Sequence, residues 1–171
     1  MKYLRSNLSL LMVMIITCLA LAGCGTDKPA VIPFTELTLE NSYSDMISLE
    51  GETDTTADST YGGTDYIYPK EYLGLDGELH YMYDEDNKLV CISWIYYMDG
   101  KADVATTYNE IKNELESSYG ESGYNTDAPS GSASKWTRDE GNITLMSITT
   151  ETISAIQYSY LHPLVSSKQN K

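Results

Sequence analysis

The chain has 171 residues, with 25 Asp plus Glu against 11 Lys plus Arg and a formal net charge of −14. A surface this acidic repels phosphate backbones and releases no counterions from them, which argues against nucleic acid as a partner. Three cysteines without paired spacing offer no zinc site. The composition stands out in one respect, 15 Tyr beside a single Phe and two Trp.

The N-terminus reads as an export signal. Lys2 and Arg5 give a positive start, Leu8 to Ala22 an apolar run, and Ala22-Gly23 the small residues a signal peptidase needs. The run of about 15 residues falls short of the roughly 20 that a permanent membrane-spanning helix requires. Leu21-Ala22-Gly23-Cys24 resembles the lipobox of bacterial membrane lipoproteins. That resemblance implies a diacylglycerol on the Cys24 thiol, cleavage before it, and a mature protein held outside the cytoplasm on the cell membrane. Each buried lipid methylene contributes about 0.8 kcal/mol, so two acyl chains hold a protein where one barely does. Two other readings stay open. Ala20-Leu21-Ala22 is itself an A-x-A site whose cleavage would free a soluble protein, and an uncleaved run would stay as an anchor. Gly25 directly after the cysteine goes with a Gram-positive-type envelope. Cleavage removes Lys2 and Arg5 and no acid, which moves the net charge from −14 to −16.

About 148 residues then remain, enough for one domain or two small packed ones. Residues 24–33 carry two prolines and read as a tether, 34–163 as the folded body and 164–171 as a polar tail. A first helix spans Ser42 to Glu50, with Ser42 and Asp45 in capping-box positions and Gly51 past its end. The polar stretch Gly51 to Asp65 reads as a solvated loop. Strands are predicted over 64–68, 78–83 and 88–98, rich in Tyr, Ile and Trp. Asp84-Glu85-Asp86-Asn87 is a hairpin turn; as a calcium loop it fails because Lys88 occupies the third ligand position. A second helix runs from about Asp103 to Tyr119, where Val104, Tyr108, Ile111 and Leu115 make one apolar stripe and Gly120 the stop. Further strands are expected over 134–138, 142–149 and 152–161.

These elements give an α+β fold, an antiparallel sheet packed by two helices in tandem α-β-β-β units, residues 34–98 and 99–163. Both helices leave through Gly-Glu, at Gly51-Glu52 and Gly120-Glu121, and each unit ends in an aromatic strand. With its Gly-Glu exits and aromatic strand ends, this tandem order resembles the beta-lactamase-inhibitor-like fold and, more distantly, small envelope lipoproteins of the SmpA/OmlA type. The resemblance implies a non-catalytic, protein-binding role. The chain lacks the disulfides of the secreted inhibitors and the basic face of some assembly factors, so neither family's partner carries over.

Among the tyrosines and tryptophans, Tyr81, Tyr83, Trp94, Tyr96, Tyr158 and Tyr160 would form a binding platform if they shared an exposed sheet face. Amphipathic cladding is the plainer reading. Cys91 lies in the apolar run Leu89 to Ile92 and reads as a small buried hydrophobe. His80 and His162 read as ordinary strand residues. No nucleophile elbow, phosphate loop or zinc motif occurs in the chain, so no catalytic residue, metal or cofactor is expected. The expected function is that of a membrane-anchored extracytoplasmic lipoprotein binding another envelope protein or an exported peptide. The alternatives are a carbohydrate or cell-wall binder using the Tyr/Trp face, and a small hydrolase using paired carboxylates.

Overall fold

Helix α1 spans Tyr43–Glu50 and starts as its sequence dictates. The Ser42 side chain accepts from the Asp45 amide while the Asp45 carboxylate accepts from the Ser42 amide, closing the capping box. Gly51, at φ 85°, ends it. Four strands follow: β1 (Thr56–Asp58), β2 (Gly62–Tyr72), β3 (Leu75–Asp84) and β4 (Leu89–Met98). Helix α2 (Val104–Tyr119) comes next, burying Val104, Tyr108, Ile111 and Leu115. Then come β5 (Tyr124–Ala128), β6 (Gly131–Thr137), β7 (Asn142–Thr149), β8 (Ser154–Leu161) and a short α3 (Pro163–Ser166). This computed structural model describes residues 32–98, 104–128, 130–151 and 154–166.

All eight strands join one antiparallel sheet in the order β1-β2-β3-β4-β8-β7-β6-β5. This overturns the expectation of two helices packed on a sheet of α-β-β-β units. The molecule is mostly sheet, its helices are short, and each half carries four strands rather than three. Helix α1 buries only Met46, whereas α2 rests on β7 and β8. The additional strands, β1 and β5, are exposed at every residue and have no apolar alternation to reveal them. β1 lies within the stretch expected to be a solvated loop, and Asp65 at the end of that stretch is buried. The tail expected from residue 164 begins instead inside α3.

One sheet face is packed. Phe34 seats edge-on against Tyr72 and Tyr158, with ring centroids 5.8 and 5.1 Å apart. Around it the segment from Ile32 to Leu39, Met46 of α1 and the stripe of α2 complete a single core. The tyrosine excess belongs to this core. Tyr81 donates to Glu50 at 2.7 Å and lies 2.6 Å from the Thr35 hydroxyl, while Tyr72 donates to Glu114 at 3.1 Å. Each ring fills the core as a Phe would, and its hydroxyl ties the sheet to the layer above.

The two halves share their register. Tyr68, Leu79 and Trp94 stand side by side across β2, β3 and β4, as Trp136, Ile143 and Tyr160 do across β6, β7 and β8. The local devices correspond too. Tyr68 Oη donates to the Gly51 carbonyl and Trp136 Nε1 to the Gly120 carbonyl, both at 2.8 Å. A Cβ on Gly77 would lie 2.5 Å from the Trp94 indole, and one on Gly141 would lie 2.5 Å from the Tyr160 ring. These correspondences place an approximate two-fold axis through the Ser93–Ser159 pair, where β4 meets β8.

Candidate functional site on the open face of the sheet

Alternation along a strand sends successive side chains to opposite faces, so register fixes what the face opposite the core carries. One row crosses it as Ile67, His80, Ser93, Ser159, Thr144, Lys135 and Tyr124. A second contains Pro69, Glu78, Ile95, Gln157 and Met146, and a third Tyr97, Ala155 and Ile148. Tyr97, Ile148 and Tyr124 are exposed at 57%, 46% and 58%.

The proposed aromatic platform is not here. Tyr81, Tyr83, Trp94, Tyr96, Tyr158 and Tyr160 do share one face, but it is the packed one. Five of them are buried, and Tyr96 is half-buried in a stack on Trp94 with ring centroids 6.0 Å apart. Burial drives the choice, because large rings have more apolar area to remove from water than the Ser, His and Gln of the other face. The lipobox residues Leu21, Ala22, Gly23 and Cys24 lie outside the described residues. Among the described residues no helix is long and apolar enough to cross a membrane, which says nothing of strands.

At the centre of the open face the polar groups are paired. Ser93 and Ser159 hydroxyls meet at 2.8 Å, and Gln157 Nε2 donates to both, at 3.1 and 3.0 Å. Cys91, two residues from Ser93 on the same face of β4, is buried, and burial, then the Asp65 carboxylate, pushes its thiol up to about 12. It stays protonated at neutral pH and is no nucleophile.

Towards β2 the balance changes. His80 Nδ1 lies 2.8 Å from Asp65 Oδ2, with side-chain exposures of 7% and 9%. Its other nitrogen, Nε2, lies 3.6 Å from Glu78 Oε2, beyond hydrogen-bond distance. His80 Nε2 and Asp65 Oδ1 are both buried without a hydrogen-bond partner. Beside them opens a pocket of about 350 Å³ whose walls include Ile67, Pro69, Glu78, Ile95 and Tyr97. Burial and then the Glu78 and Asp65 carboxylates raise the Tyr97 phenol above its ordinary value.

Among the described residues no hydroxyl or thiol is hydrogen-bonded to His80 Nε2. The two carboxylates sit at opposite nitrogens of the ring instead of converging on a shared cleft. Among the described residues no three His, Cys, Asp or Glu side chains are arranged to hold a metal. Asp65, Glu78 and Tyr97 were not among the sites expected from sequence; the only hint is that Glu78 and His80 are two apart in a strand and share a face. Compared with protein families, curated proteins and solved structures, the chain matches none.

Proposed function

We propose that this protein is an exported, lipid-anchored binding module of the cell envelope, held to the membrane through Cys24, whose open sheet face receives another envelope protein or an exported peptide. One observation carries the reading. The segment from Ile32 to Leu39, α1 and α2 all pack on one face of the sheet, which leaves Tyr97, Ile148, Tyr124 and the pocket on the other. Exposed apolar and aromatic groups set among polar ones are the composition of an interaction surface. A net charge of −14 before processing steers basic partners in and repels anionic lipid head groups, so attachment falls to the lipid. The burial of Trp94 and the tyrosines around it takes away the platform on which a sugar would stack.

The test has two arms. Protein recovered from membranes is weighed intact beside a Cys24→Ala variant, and photo-crosslinking residues are placed at Tyr97, at Ile148 and, as a control, at exposed Glu110 on α2. A diacylglyceryl mass lost together with membrane retention in the variant, and one crosslinked partner seen only from the two face positions, is the expected result. An unmodified chain beginning near Gly23 in the medium, or equal crosslinking from Glu110, overturns it.

A further inference from the structure

The pocket on the open face has walls of three chemical kinds. Ile67, Pro69 and Ile95 are apolar, Asp76 and Glu78 are carboxylates, and Tyr97 contributes an aromatic ring; among the described residues no basic side chain lines it. Asp65 Oδ2 occupies His80 Nδ1, which leaves Nε2 as the ring nitrogen without a hydrogen-bond partner. Nε2 lies 3.6 Å from Oε2 of Glu78, whose side chain forms part of the pocket wall. His80 is more than nine-tenths buried, with a side-chain exposure of 7%, and Asp65 Oδ1 is a buried acceptor without a partner. Of the charged groups, the ones that line the pocket are the Asp76 and Glu78 carboxylates, and a cation rich in donors is what complements them. The sheet does not demand this arrangement. By register, the two-fold counterparts of Asp65, Glu78 and His80 are Ala133, Asn142 and Thr144.

We propose that this pocket receives the guanidinium of an arginine side chain carried by the polypeptide that the open face binds. The proposal rests on reading that face as a binding surface, and adds the chemistry it selects. The aliphatic stem lies on Ile67, Pro69 and Ile95, the head pairs with Glu78, and the Tyr97 ring covers it as a cation–π partner. A volume of about 350 Å³ is near the lower end of ligand pockets and suits one long side chain. The buried Asp65–His80 pair lies beside Glu78 on the same face and outside the pocket wall.

The full lipidated chain in detergent micelles is titrated by NMR with n-butylguanidinium and with n-butylurea, which has nearly the same shape and no charge. Millimolar binding of the guanidinium is expected for so small a probe, with shifts centred on Glu78, Ile95, Tyr97 and the His80 ring. The urea should bind at least about ten-fold more weakly, and Glu78→Gln should weaken the guanidinium by a similar factor. Tyr97→Ala, on the exposed rim, should weaken it several-fold while leaving the rest of the spectrum unchanged. Equal binding of both probes, no shifts, shifts scattered over the acidic surface, or indifference to Glu78→Gln each overturn the proposal. A crosslinked partner at Tyr97 without guanidinium binding sinks the pocket chemistry and leaves the binding face. Guanidinium binding without a partner does the reverse.

Discussion

In the β1–β4 half Trp94 lies across Gly77 and Tyr68 reaches the carbonyl of Gly51; in the β5–β8 half Tyr160 lies across Gly141 and Trp136 reaches Gly120. At these positions the packed faces of the halves match. Their open faces do not. Where the first half sets Asp65 against His80, the second sets Ala133 and Thr144 at the corresponding positions. The second half therefore acts as an internal control. It shows that this strand pairing closes without a buried imidazole and carboxylate, so the unpaired acceptors of the first half are an addition to the scaffold and not a condition of it.

The largest effects should fall where the halves agree. Trp94→Ala and Tyr160→Ala remove equivalent core rings, and each should cost about 3–5 kcal/mol by urea denaturation. If the aromatic strands were ligand platforms, these losses would instead be small and the binding loss large. Next come the positions where the halves differ. Asp65→Ala strands the Nδ1 proton of a buried His80, and His80→Thr strands the Asp65 carboxylate; each single change should cost about 1–3 kcal/mol. The double change imports the pair found in the second half and should recover much of that loss, which a double-mutant cycle in urea measures directly. Simple addition of the two single costs would mean that the pair is not coupled and that the internal control is invalid.

What was legible in the sequence follows the same division. α1 and α2 are legible, because capping residues and a 3.6-residue apolar period are local signals, and six strands show through their Tyr, Ile and Trp. β1 and β5 are not, since Thr56–Asp58 and Tyr124–Ala128 bury no side chain and are held by backbone pairing that no residue type announces. The Gly51 and Gly120 exits were visible; the pairing of Tyr68 with Trp136 was settled only by register. Whether the six aromatic residues share a face is not legible in the sequence, because alternation gives parity within one strand and neither the register between strands nor which side the helices cover. For the same reason Tyr96 was taken in place of its neighbour Tyr97. Asp65 was lost to an apparent loop, and its partnership with His80 depends on a contact between strands that the sequence does not encode locally.

Smaller effects test how each half joins its helix to its sheet. Tyr68→Phe keeps the ring and deletes the hydroxyl that donates to Gly51, which should cost about 1 kcal/mol in the first half alone. Hydrogen exchange should then show α1 loosened and α2 unchanged; equal loosening of both would mean that the halves do not open separately.

The least expected effect separates the helices by what holds them. α2 buries four side chains, while α1 has eight residues, one buried side chain and a capping box. Hydrogen bonds from the Ser42 backbone and side chain hold the Asp45 carboxyl below its ordinary 3.8. A carboxyl depressed in the folded state contributes stability above its unfolded value and loses it as pH falls through the folded one. Lowering the pH from about 5 to about 2.5 should therefore speed amide exchange in α1 more than in α2, after correction for intrinsic rates. Asp45→Asn, which cannot titrate, should remove that added sensitivity. If it persists in the variant, acid acts on α1 through another group, and the capping box is not what sets the two helices apart.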